Sequence, residues 1–162
     1  MANSRAFGMP HVPPLIPIIN PIIRRLIGSG LPFGPNVLLT VRGRTSGEPR
    51  TFPVAILELD GCRYVQSPFG EVNWVRNLRA NGEAMLTRRG RREEVDAVEL
   101  TPEAAGPVLR RSLAPQLKSP FGAMVGRYFR FGDDATPEDD IAEARRHPTF
   151  ELRARVAVER AG

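Results

Sequence analysis

One cysteine, Cys62, stands in a chain of 162 residues, so no disulfide forms within the chain and no cysteine-based zinc site can be built. That scarcity fits a reducing, cytoplasmic setting. The two histidines, His11 and His147, are too few for a histidine-rich metal centre, and neither sits in a nucleophile motif; both read as surface residues. No metal site is expected. Lysine is almost absent as well, since Lys118 is the only one among 23 basic residues. The basic charge, net +5, is therefore arginine. A guanidinium is a planar fork that matches phosphate and carboxylate, which points to an anionic partner. No apolar run reaches the roughly 18 to 20 residues needed to span a bilayer.

What is present is a globular composition, with 41% hydrophobic and 25% charged residues, and a length suited to one domain. The first 30 residues read as an apolar helical segment ahead of a domain over residues 31–162. Within that segment, Pro13 to Gly28 is strongly apolar, contains Pro17 and Pro21, and ends near Arg24 and Arg25. A signal peptide has the opposite order, with charge before the apolar run. Two readings stay open here: packing on the domain, or peripheral contact with the inner face of the cell membrane.

The rest of the chain reads as short strands joined by tight turns. Val37–Val41, Thr51–Leu59 and Arg63–Gln66 are rich in β-formers, and Asp60-Gly61 is a strong hairpin signal. Glu71–Asn81 changes to helical spacing and stops at Asn81-Gly82. Ala84–Thr87 and Val95–Leu100 flank a charged tip, Arg88–Arg92. Thr101-Pro102 starts a helix expected to run to about Leu113, because threonine caps and proline suits a first turn. Asp134–Asp140 reads as an acidic loop, Ile141–Arg146 as one or two helical turns, and Thr149–Val158 as a last strand. The fold class is mainly β (α+β), an antiparallel sheet that closes or half-closes, with peripheral helices.

Three segments carry candidate chemistry. Gly43-Arg44-Thr45-Ser46-Gly47-Glu48-Pro49-Arg50 combines glycines, hydroxyls and arginines, the donor set of an anion-binding turn. An arginine-bearing hairpin turn without a ligand has the same pattern. Gln66-Ser67-Pro68-Phe69-Gly70 leads to a helix bearing Asn73, Trp74 and Asn77, where an indole could wall a flat ring or simply fill the core. Arg88–Arg92 has no interleaved aromatics and is followed by Glu93-Glu94, so it reads as a solvated tip and no nucleic-acid partner is expected.

Two of these stretches, in this order and spacing, resemble the deazaflavin-dependent nitroreductase family. Leu38-Leu39-Thr40-Val41-Arg42-Gly43-Arg44-Thr45-Ser46-Gly47-Glu48-Pro49-Arg50 is similar to its opening signature, and Trp74-Val75-Arg76-Asn77-Leu78-Arg79-Ala80-Asn81 to its W-x-x-N-L-x-A-N. The resemblance covers about residues 35–105. It implies a split β-barrel like that of FMN-binding oxidases, holding coenzyme F420. It further implies that Arg44, Thr45, Ser46 and Arg50 hold the cofactor's phosphate and acidic tail. Thr51, Phe52, Pro53, Val54 and Ala55 would line the ring, with Gln66, Asn73, Trp74 and Asn77 completing the groove. Ser67 would stand beside the reactive face, and Ser67 or Tyr128 would donate a proton. Pro68 and Ala55 stand where the family's best-known nitroreductase has a lysine and a tyrosine, which implies one cationic contact fewer and a roomier or differently shaped acceptor pocket. The implied activity is hydride transfer from the reduced deazaflavin to a quinone or nitro compound. The alternatives are an FMN-binding split barrel and a non-catalytic cofactor-binding module.

Overall fold

The computed structural model describes residues 36–118, 126 and 128–155; the apolar N-terminal segment lies outside them. Among the described residues, six strands close into an antiparallel barrel: β1 (Asn36–Arg42), β2 (Pro49–Leu59), β3 (Cys62–Gln66), β4 (Glu83–Arg88), β5 (Arg91–Glu99) and β6 (Thr149–Ala154). The order around the barrel is β1-β2-β3-β6-β5-β4, and every neighbouring pair is antiparallel.

Alternation along the strands decides what lies inside. Val37, Leu39 and Val41 of β1, Val54 and Ile56 of β2, and Val65 of β3 point inward, where Phe150, Leu152, Val95 and Leu86 meet them. Two-residue turns join the meander. Asp60-Gly61 and Arg89-Gly90 hold positive φ at both positions (52° and 78°, 50° and 75°), the geometry whose twist matches the flanking strands. The second turn shortens the expected charged tip. Arg91 and Arg92 lie in β5, paired with Arg88 and Thr87, so the strand starts four residues before Val95.

Helix α1 (Asn73–Asn81) buries Trp74, Val75 and Leu78 in this core and ends at Gly82, whose left-handed backbone lets its N–H return to the Leu78 carbonyl. A second core covers the outer face of β2 and β3. There Leu57 and Tyr64 meet Ala105, Leu109, Leu113, Phe129 and Ala144. Helix α2 (Pro102–Val108) is capped by Thr101 and continues as a π-helical turn, Leu109–Leu113. Helix α3 (Pro137–Ala144) starts earlier than expected, inside the acidic stretch. Thr136 and Asp139 form a reciprocal capping box there, and Pro137 takes the first turn. Carboxylates at a helix N-terminus complement its dipole, which is why the stretch is helix rather than loop.

Candidate functional site

The turn between β1 and β2 faces the start of α1 across an open groove of about 440 Å³. Arg44, Thr45, Ser46, Arg50, Phe52, Asn73 and Asn77 line it together with Gly43. The turn holds its own shape: the Gly43 amide donates to the Glu48 carbonyl (2.8 Å), Gly47 to the Gly43 carbonyl (2.9 Å), and Glu48 to Ser46 Oγ (3.2 Å). Side-chain space at Gly43 is closed, since a Cβ there would lie 2.7 Å from Ser46 Oγ. Among the described residues, the amides of Thr45 and Ser46 donate to nothing in the protein. Adjacent unpaired amides beside arginines form a small anion-binding concavity.

Two asparagines of α1 fix this turn from the other side. Asn77 is buried, and its Oδ1 accepts both from the Arg44 amide (3.2 Å) and from Arg44 Nη1 (2.9 Å). Asn81 donates through Nδ2 to the Arg42 carbonyl (2.8 Å) and to the Asn77 carbonyl (2.7 Å). The partner of the Arg44 guanidinium is thus a neutral amide, which orients it and leaves its charge uncancelled. Arg79, on the same helix, differs. It forks onto Glu99 at 2.7 Å through two nitrogens and reaches Glu71 at 3.0 Å, and these bonds raise its pKa. Glu48 faces Arg50 at 3.6 Å with both side chains exposed, a loose pair that solvent screens.

The remaining positions divide by strand face. Thr51, Pro53 and Ala55 lie on the outer barrel face, opposite Thr40, Leu38 and Asn36 of β1, and Thr51 Oγ1 bonds Thr40 Oγ1 at 2.9 Å. Val54 points into the core, as does the Trp74 indole, which sits 6.4 Å from the Phe150 ring. Of the expected positions, Thr51, Pro53, Val54, Ala55, Gln66, Ser67 and Trp74 are not among the residues that line the groove. Gln66 ends β3 and Ser67 follows it; both are buried, and among the described residues Gln66 Oε1 and Ser67 Oγ have no hydrogen-bond partner. Leaving such atoms unpaired costs roughly 1 to 3 kcal/mol each, which makes the two atoms candidates for a ligand contact. Tyr128 approaches this place through Phe69, edge to face at 5.0 Å.

The structure also holds a polar group that sequence reasoning placed on the surface. His147 is 3% exposed and bonds at both ring nitrogens, to the Ser67 carbonyl and to Glu143 Oε1, each at 3.0 Å. Its partner Ser67 is 80 residues away in the chain, a pairing with no local signature. Among the described residues, no helix is long and apolar enough to cross a membrane.

Solved structures of similar shape include a chain described as a domain-swapped dimer, at 19% identity and TM-score 0.51, covering 82% of this chain and 95% of that one. They also include the F420-H2 dependent reductase FDR-A (21% identity, 74% and 94% coverage, TM-score 0.46). HutZ, the heme storage protein from Vibrio cholerae, is another (13% identity, 85% and 90% coverage, TM-score 0.48). The first of these likenesses shows the split-barrel fold. Comparison with curated proteins finds no match. The family model described as F420H(2)-dependent quinone reductase matches residues 23–119, more than half of the chain, and the chain belongs to that family.

Proposed function

We propose that this protein binds coenzyme F420 in the groove between the β1–β2 turn and α1 and reduces an electron-poor small molecule, a quinone first among them. The observation that carries this reading is the Arg44 guanidinium, oriented by the neutral Asn77 amide beside the unpaired Thr45 and Ser46 amides. That donor set fits a phosphate or an acidic tail. The buried, unpartnered Gln66 Oε1 and Ser67 Oγ fit the N–H and C=O edge of a flat heterocycle. Family membership supports the deazaflavin over other anionic ligands.

In this reading Arg44, Thr45, Ser46 and Arg50 hold the phosphate and tail. Thr51, Pro53 and Ala55 present the outer barrel face to the ring. Asn73 closes the groove from the helix side. When bound in its reduced form, the cofactor supplies a hydride from C5. The protein's part is position and exclusion of water, with Ser67 Oγ or the Tyr128 hydroxyl as the group that returns a proton to the reduced acceptor. A quinone and a nitro compound are both acceptors of the required electron-poor type.

Titration of the protein with F420, FMN and FAD in parallel tests the reading. Saturable binding of F420, tighter than FMN or FAD, followed by turnover with menadione, is the expected result. Preferred binding of FMN favours the flavin-binding alternative, and tight F420 binding without turnover of any acceptor favours a cofactor-binding module.

A further inference from the structure

Ser67 is held from two sides by consecutive residues of a distant segment. Its amide donates to the Pro148 carbonyl at 3.0 Å, and its carbonyl accepts from His147 Nδ1 at 3.0 Å. A carbonyl only accepts, so Nδ1 carries the proton. The other ring nitrogen faces Glu143 Oε1 at 3.0 Å, and both residues are 3% exposed. Glu143 is itself fixed: Oε1 also accepts from the Arg130 amide at 3.0 Å, and Oε2 pairs with Arg146. Phe129 covers the imidazole, ring centroid to centroid 4.2 Å, and stacks on Phe131. Thr149 Oγ1 closes the segment by donating to the His147 carbonyl at 2.9 Å.

The backbone of Ser67 is therefore fully paired, while Ser67 Oγ and the neighbouring Gln66 Oε1 are buried without partners. A built frame around two buried, unpaired polar atoms is the arrangement of a preorganised site. We infer that His147, oriented by Glu143, is a positioning residue that sets the backbone of Ser67 and so aims the Ser67 hydroxyl and the Gln66 amide oxygen at the ligand. His147 acts through Ser67 and touches no substrate. The inference rests on the proposed cofactor reading only in naming the ligand; the clamp on Ser67 belongs to the protein alone.

Two substitutions separate this role from simple packing. An asparagine amide nitrogen stands near the place of Nδ1, so His147→Asn keeps a donor for the Ser67 carbonyl. A glutamine amide nitrogen stands near the place of Nε2, so His147→Gln keeps the Glu143 contact and loses the Ser67 bond. Both are checked for fold by circular dichroism, then measured for F420 affinity, for menadione turnover and for hydrogen exchange at the Ser67 amide. His147→Gln is expected to lower kcat by about tenfold or more and to weaken F420 binding less than Arg44→Ala does, because the anion-binding turn is untouched. Its Ser67 amide exchanges faster. His147→Asn keeps kcat within about threefold of wild type. In the Ser67→Ala background, His147→Gln costs little more, since the two act through one group.

The reverse order of the two variants, or losses that add with Ser67→Ala, overturns the inference. If neither variant folds, wild-type protein labelled with 15N-histidine decides: a slowly exchanging Nδ1 proton on His147 supports the clamp, and a bare Nδ1 refutes it. Wild-type protein that fails to bind F420 refutes the cofactor reading instead, while the Ser67 exchange still reports on His147.

Discussion

Arg44 illustrates how a charge is kept available. Its guanidinium is held by a neutral oxygen, Asn77 Oδ1 at 2.9 Å, whereas Arg79 and Arg63 are held by carboxylates. Removing a charge-assisted bond to an anion costs roughly 1.5 to 3 kcal/mol. Arg44→Ala is therefore expected to weaken F420 binding by about 10- to 150-fold in a fluorescence titration, with the melting temperature little changed. Asn77→Asp makes a sharper case. The variant keeps the shape and the bonds to Arg44, but its carboxylate cancels the charge and repels the ligand. It should bind F420 more weakly than Asn77→Ala, and wild-type affinity in Asn77→Asp would show that the anion does not meet Arg44. The arginines and hydroxyls of this turn are legible in the sequence because glycines and donors stand together. The two helix residues are less so. Trp74 and Asn77 are three apart and read as one face, yet the indole enters the core while Asn77 meets the turn with Asn73, four residues before it. Which face docks is set by the barrel, not by the spacing. His147 is illegible for the same kind of reason, since its Ser67 partner comes to it only through the closing of β6 onto β3, although Glu143 stands four residues before it.

At the scale of elements, strands with clear alternation and glycine-marked turns were read correctly from sequence, as β2, the Asp60-Gly61 turn and β3 show. β5 starts before the sequence suggests because arginines look like solvent-facing tip residues, although two exposed arginines paired with Arg88 and Thr87 form the strand's first turn-side residues. α3 starts before the sequence suggests because Asp is a weak helix former in an interior but a favourable residue in a first turn. The contact between α2 and α3 was not legible at all. Gly106 lies against α3 backbone, where a Cβ would meet Ile141 N at 3.1 Å and the Asp140 carbonyl carbon at 3.2 Å. Neighbouring residues lock the two helices there: Arg110 bonds Asp140 through Nε and Nη2, at 2.6 to 3.0 Å, and lies over the Phe131 ring. Alanine is the better helix former by roughly 1 kcal/mol, but overpacking against rigid backbone costs about 1 to 3 kcal/mol. Gly106→Ala should therefore lower the melting temperature, by up to about 8 °C. A calorimetric scan showing a rise would mean that α3 moves aside freely.

At the scale of the molecule, ion pairs cancel part of the arginine charge among the described residues. Several arginines of the barrel are paired: Arg63 with Glu93, Arg79 with Glu99 and Glu71, Arg155 with Asp96 and Glu83. Pairing at the barrel wall leaves the β1–β2 turn as a place where arginine charge faces an open groove. The same pairing sets how the fold responds to acid. The Arg63 guanidinium donates both of its terminal nitrogens to the Glu93 carboxylate at 2.7 Å, and this hydrogen bonding holds the Glu93 pKa below the usual carboxylate value. A carboxyl whose folded pKa is depressed binds fewer protons folded than unfolded. Its stabilising contribution is complete above the ordinary glutamate range and is lost as pH falls through the lowered folded value. Asp139 behaves in the same direction, held low by the Thr136 backbone and hydroxyl. Thermal melts of wild type and Glu93→Gln across pH 7 to about 2.5 test the argument. The variant should melt lower at neutral pH and lose less stability on acidification. The two curves should converge at the acid end, where Glu93 is protonated and resembles glutamine. Parallel curves across the whole range would show that the Arg63–Glu93 bond contributes nothing that depends on the Glu93 charge.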